Sequence, residues 1–159
     1  MTTLDTAGPI APSALHLGDS DLPWASTPGG VQLQVLQVQE STGLWVIRNR
    51  FDPGVEVQTH RHTGTVFGHT TSGSWAYKES DFLNVAGSYL FEPAGSVHTL
   101  VVPETNTEIT EVLFIMYGAN LNLDADGNVE SVTDGAGVLA AYRAMCRAQG
   151  HDEPNVILI

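Results

Sequence analysis

The sequence predicts an all-β sandwich or barrel carrying one C-terminal helix. From Val31 onward, short stretches alternate apolar and polar residues, and Gly, Pro, Ser or Asn separates one stretch from the next. Near the C terminus a single segment instead repeats its apolar residues every three or four positions. Regularly spaced short strands with turn signals between them pack as sandwiches or barrels, and 159 residues suit one such domain, taken as 1–159.

Residues 1–30 are rich in Pro, Gly, Ser and Thr, with Leu15, Leu17, Leu22 and Trp24 as scattered apolar anchors. They predict an extended arm laid on the domain. The barrel is expected over 31–133. Val31, Leu33, Val35 and, after Leu36, Val38 form its first strand; Ser41-Thr-Gly43 is a turn, and Trp45-Val-Ile47 returns as a hairpin partner. Further strands are expected at Val55–His62, Val66–Thr70, Trp75–Lys78, Ser88–Phe91, Thr99–Val102 and Glu111–Tyr117. Asp124-Ala-Asp126-Gly127-Asn128 resembles a calcium loop, but its glycine is fourth rather than sixth and Gly135 stands where the twelfth-position Glu is needed, so it reads as a turn between Leu121-Asn-Leu123 and Val129. Val138, Leu139, Tyr142, Met145 and Cys146 mark the apolar face of a helix over 134–150, which Gly150 ends. The tail Val156-Ile-Leu-Ile159 is expected as an edge strand or an interface.

Charge and cysteine usage narrow the function. Eighteen acidic residues against six basic ones give a net charge of -12, which argues against nucleic acid and anionic membranes because binding phosphates needs clustered cations. No apolar run approaches the ~20 residues of a membrane span. The first thirty residues hold Asp5, Asp19 and Asp21 but neither Lys nor Arg, so the basic start of a secretory signal is missing and a cytoplasmic location is expected. Cys146 is the only cysteine. A metal site in this chain therefore uses His and carboxylates.

Such a site is written in two stretches, Gly54-Val-Glu-Val-Gln-Thr-His60-Arg-His62 and Gly87-Ser-Tyr-Leu-Phe-Glu-Pro93-Ala-Gly95-Ser-Val-His98. On a strand, His60 and His62 point to one face, one pleat repeat apart, while Arg61 points to the other. His98 follows a Pro-x-Gly turn and is placed to bring a third imidazole from a distant strand. Three ligands leave open positions on the ion, which suits catalysis. His69, His16 and His151 fall on the wrong parity or in terminal segments and are expected in solvent.

The two stretches resemble the cupin superfamily, small jelly-roll barrels (double-stranded β-helices) that hold a metal inside. Gly54, His60, His62 and Gly73 fit the first motif, G-x5-H-x-H-x3,4-E-x6-G, and Gly87, Pro93, Gly95 and His98 fit the second, G-x5-P-x-G-x2-H-x3-N. Val66 stands in the slot of the first motif's carboxylate ligand and Val102 in that of the closing Asn. His60-Arg-His-Thr-Gly-Thr-Val66, Gly73-Ser-Trp75-Ala-Tyr77-Lys-Glu79 and Ala86-Gly-Ser-Tyr-Leu-Phe-Glu92-Pro-Ala-Gly95, with Leu22-Pro-Trp24 and the Tyr/Cys helix, are similar to the ChrR-like cupins. The resemblance is strongest to the dihydroxyacetophenone dioxygenase group and weaker to acetylacetone dioxygenase.

That resemblance implies a mononuclear non-haem iron enzyme that uses dioxygen to split a carbon–carbon bond beside a carbonyl in a small diketone or hydroxyketone. It carries Fe(II) to His60, His62 and His98 and implies a homodimer. Imidazole suits zinc and nickel as well, so the ligands do not select the metal. Three neutral imidazoles leave an ion its full dipositive charge, which favours a chelated enolate and gives Val66 a mechanistic reading. Two alternatives stand: a zinc-binding sensory cupin, which needs a helical output module where this chain has about thirty Pro/Gly-containing residues, and an oxygen-independent isomerase or lyase.

Two carboxylates are the candidate catalytic groups. If Lys78 faces solvent, alternation turns Trp75, Tyr77 and Glu79 inward, where Glu79 orients a ligand or takes a proton; otherwise it is a strand-end residue in water. Glu92, just before Pro93, either reaches the metal region or flanks the turn. Trp75, Tyr77, Tyr89, Phe91, Phe114 and Tyr117 are core or pocket aromatics, and Cys146 packs the helix.

Overall fold

The computed structural model describes residues 13–159, and the first twelve positions of the expected arm lie outside them. In chain order its strands are β1 (Ala25–Ser26), β2 (Val31–Gln39), β3 (Leu44–Phe51), β4 (His60–His62), β5 (Val66–Ser72), β6 (Ser74–Tyr77) and β7 (Asn84–Val85). These are followed by β8 (Tyr89–Glu92), β9 (Val97–His98), β10 (Leu100–Val101), β11 (Thr110–Tyr117), β12 (Ala119–Leu123) and β13 (Val129–Asp134). The helix α1 (Gly135–Ala148) and a last strand β14 (Ile157–Leu158) complete the chain. No helix among the described residues is long and apolar enough to cross a membrane.

One sheet runs β1-β2-β3-β11-β5-β8, with β14 added in parallel to β2; the facing layer is made of β13-β12-β4-β9 and β10-β6-β7. This is the jelly-roll sandwich expected. The long hairpin β2–β3 turns at Gly43, whose positive φ of 72° suits glycine. The parity slip noted after Val35 is a β-bulge: the register shifts between Val35 and Gln37, so Val35 and Val38 both point inward and both are buried. β3 alternates strictly, with Trp45, Ile47, Asn49 and Phe51 inside. Trp45 donates its indole N–H to the Gly118 carbonyl at 2.9 Å, so its bulk is buried without an orphaned donor.

One motif glycine has a direct steric reason. At Gly73, between β5 and β6, φ is +68° and a Cβ would stand 2.6 Å from Thr110 Cα, so only glycine lets these backbones meet. Asp134 caps α1 by accepting from the Gly137 N–H at 2.8 Å, and Gly150 takes the left-handed conformation that ends it. Val138, Leu139, Tyr142 and Cys146 are its buried face, laid against β2 and β1. The turn after Leu123 is a hairpin loop in which Asp124 accepts from the Asp126 and Asn128 amides.

Several expectations are corrected. Only His60–His62 of the expected strand from Val55 is ladder; Glu56 makes an isolated bridge to Val101. Leu15 is exposed, whereas Leu22 is buried and Trp24 stacks under the Arg50 guanidinium at 3.9 Å. Tyr89, Phe91 and Tyr117 lie on outer faces and are exposed, because their strands present the opposite parity to the core.

Candidate metal centre

The short strands β4 and β9 bring the three histidines together. Their antiparallel register pairs His60 with His98 directly, and β12 lies on the other side of β4 with Asn120 opposite His62. All three histidines are buried, their ring centroids lie 4.7–5.1 Å apart, and their candidate ligand atoms fall within 4.8 Å of one another.

Hydrogen bonds orient two of the rings. His60 Nδ1 donates to the Gln58 carbonyl at 2.9 Å, and His62 Nδ1 donates to Asn120 Oδ1 at 2.7 Å, which leaves both Nε2 lone pairs facing inward. His98 is held differently, stacked on the Tyr77 ring at 3.8 Å and 11°. Burial pushes the His60 imidazole down to about 4, with His62 and His98 adding to the effect against the Gln58 carbonyl, so it is the neutral, ligating form at neutral pH.

Glu92 completes the cluster. Its Oε2 lies 2.7 Å from His62 Nε2 and 3.1 Å from His98 Nε2, while Oε1 accepts from the Tyr77 hydroxyl. Burial alone would raise this carboxyl; the His62 and His98 imidazoles and the Tyr77 hydroxyl instead bring it down to about 2. The Tyr77 phenol is raised by its burial and by the adjacent Glu92 charge, so it remains a proton donor. Glu92 Oε2 and His98 Nε2 have no hydrogen-bond partner among the described residues, although both are buried and close to each other. Three imidazoles converging on one point, with His98 Nε2 left unpartnered, are a donor set that one cation satisfies, and Glu92 lies beside it. The residues fit a metal.

Sequence reasoning expects an all-histidine, fully dicationic site because Val66 replaces the usual carboxylate. The histidines alone form that ligand group, and Val66 pairs across β5–β8 with Glu92, which sets a carboxylate beside them from the neighbouring strand. Glu79, in contrast, does not face inward. β6 ends at Tyr77, and Glu79 is exposed, accepting from the Thr99 N–H and hydroxyl at 2.9 Å each. Thr99 Oγ1 also lies 2.6 Å from Thr59 Oγ1, so Glu79 braces the residues adjoining His98 and His60 from outside. Arg61, His69, His16 and His151 are exposed, as expected. Asn120 carried no signal in the sequence, since only the β4–β12 register puts it beside His62.

Beside the cluster the barrel encloses a cavity of about 310 Å³, with His60, His62, Glu92 and Tyr77 at its polar end and Val57, Leu100, Phe114 and Met116 among its apolar walls.

The ChrR cupin-like domain matches residues 13–120. No curated protein sequence matches the chain. Among solved structures, a cupin-fold protein of unknown function from Ralstonia eutropha superposes with a TM-score of 0.84 at 30% identity, covering 100% of this chain and 96% of that one. An RmlC-like cupin from the same organism gives 0.83 at 28% identity, over 91% and 94% of the two chains. The acetylacetone dioxygenase of Acinetobacter johnsonii gives 0.71 at 19% identity over 91% and 99%, a likeness of fold.

Proposed function

The chain belongs to the ChrR cupin-like family, and from that premise we propose that it is a mononuclear non-haem iron dioxygenase cleaving the carbon–carbon bond beside a carbonyl in a small diketone or hydroxyketone. The observation that carries this reading is the buried cluster of His60, His62, His98 and Glu92, of which His60, His62 and Glu92 line a largely apolar cavity. Fe(II) held by His60, His62 and His98 would supply a Lewis acid for the enolised substrate and a site where dioxygen reacts with it.

The chain's own residues then have separate tasks. Glu92 Oε2, a carboxylate oxygen 2.7 Å from His62 Nε2 and lining the cavity, takes the proton lost when the substrate enolises. Tyr77 donates to Oε1 and fixes the carboxylate while its ring keeps His98 in place. Asn120 and the Gln58 carbonyl hold the His62 and His60 tautomers. The apolar walls exclude water from the reacting carbon and favour an uncharged substrate. A homodimer accords with the exposed aromatics Tyr89 and Phe91 on β8, an edge strand.

The test is oxygen uptake by protein reconstituted anaerobically with Fe(II), across a panel of small diketones and hydroxyketones. Oxygen-dependent cleavage of at least one member is expected, with zinc-loaded protein inert. No uptake with any member, together with tight zinc retention and capture of a protein partner, would transfer the chain to the regulatory reading.

A further inference from the structure

One inward position of β3 breaks the apolar rule. Trp45, Ile47 and Phe51 are hydrophobic, but between them Asn49 is buried and lines the cavity. Its Nδ2 donates to the Gln32 carbonyl at 3.3 Å; a carbonyl only accepts, so the amide nitrogen is turned toward it. Oδ1 is left as the other end of the amide. It accepts from no donor among the described residues, yet it is not among the buried atoms sealed off without a partner, so it keeps accessible surface. An acceptor that faces the cavity without a protein partner adds no internal hydrogen bond to the fold, and is free to meet a donor that enters.

Its position relative to the metal centre follows from register. Trp45 is level with Met116, Val66 and Glu92 through successive pairings. Asn49 lies four residues further along β3, about 13 Å at the rise of an extended strand. The cavity thus has two polar ends, the ligand cluster and Asn49, with apolar walls between. No Lys or Arg is among the described residues lining it, so nothing at the Asn49 end pairs with an anionic group, and a cation there would lose its hydration with no carboxylate among the neighbouring lining residues.

We propose that Asn49 determines substrate specificity by accepting a hydrogen bond at Oδ1 from a neutral hydroxyl or N–H group at the far end of an apolar ligand. This rests on the reading of the cavity as the substrate chamber, and the test separates the two. Indole and indene have nearly the same shape, neither is charged, and only indole carries a donor; their binding to zinc-loaded protein, where no turnover occurs, is measured by calorimetry. Wild-type protein is expected to favour indole over indene by about fivefold more than Asn49→Leu does, the contribution of one hydrogen bond. An unchanged indole-to-indene ratio, with both compounds bound, overturns the role of Asn49 and leaves the chamber standing. Failure of both compounds to bind wild type overturns the chamber reading as well. If Asn49→Leu does not fold, Asn49→Val and Asn49→Ala supply the same ratio.

Discussion

The two layers of the barrel are built unequally. In one, β2, β3 and β11 are eight or nine residues long and pair along their whole lengths. In the other, β4 and β9 are three and two residues long, yet they carry every proposed histidine ligand. The long strands bury Trp45, Val35 and Val112 and bear the weight of the fold. The short ones depend on individual side-chain contacts: Gln58 and Asn120 on the His60 and His62 rings, Tyr77 on His98, and Glu79 behind Thr99. Stability and site geometry are therefore carried by different residues, and replacements should separate them.

The largest effect belongs to the long layer. Trp45→Ala removes a fully buried ring and its hydrogen bond, and urea unfolding should show a loss of about 3–5 kcal/mol. A loss below about 1 kcal/mol would mean that the two layers share the load. In the short layer, His98→Ala should abolish stoichiometric metal binding, read by elemental analysis after dialysis, while the metal-free protein keeps its far-UV circular dichroism. Stoichiometric metal in that variant would remove His98 from the ligand set.

Glu92→Gln tests a narrower claim, because it keeps shape and hydrogen-bonding capacity but loses the basic oxygen. Turnover should fall by roughly 10²–10⁴-fold, the usual contribution of a general base, with iron retained. Undiminished turnover would leave Glu92 as a bracing residue only.

The smallest effect is the response of the metal-free protein to pH. His60 titrates near 6.5 when unfolded and at about 4 in the fold, so between those values the unfolded chain binds more protons. Stability from His60 is thus complete above about pH 6.5 and lost as pH falls toward 4. Glu92, ordinarily at 4.5 and here about 2, adds a second loss as pH falls through that lower window. Urea midpoints of metal-free protein should decline through both windows, by about 1–3 kcal/mol in the upper one, and His60→Gln should flatten the upper one alone. An upper decline that persists in His60→Gln would assign it to another group.

Much of the fold was legible because its signals are local. Alternation placed β2, β3, β5 and β11, the parity slip at Leu36 marked the bulge, and the 3.6-residue period with Gly150 placed the helix. His60 and His62 could be paired from the sequence because two positions separated by one residue share a strand face whatever the strand is paired with. Glu79 stayed between an inward and a solvent-facing reading, because alternation cannot say where a strand stops; it stops at Tyr77, and Glu79 is the strand-end residue in water.

By itself the sequence determined the alternating strands, the turn glycines, the lone helix and the histidine spacing, all of which depend on residues a few positions apart. Only the tertiary structure decided that Glu92 stands beside the histidines, that Asn120 orients His62, and that Asn49 faces the cavity. Each of those is a matter of cross-strand register between segments distant in the chain. Register is set by how the long strands settle against one another as the core packs, and the residues at the site do not encode it.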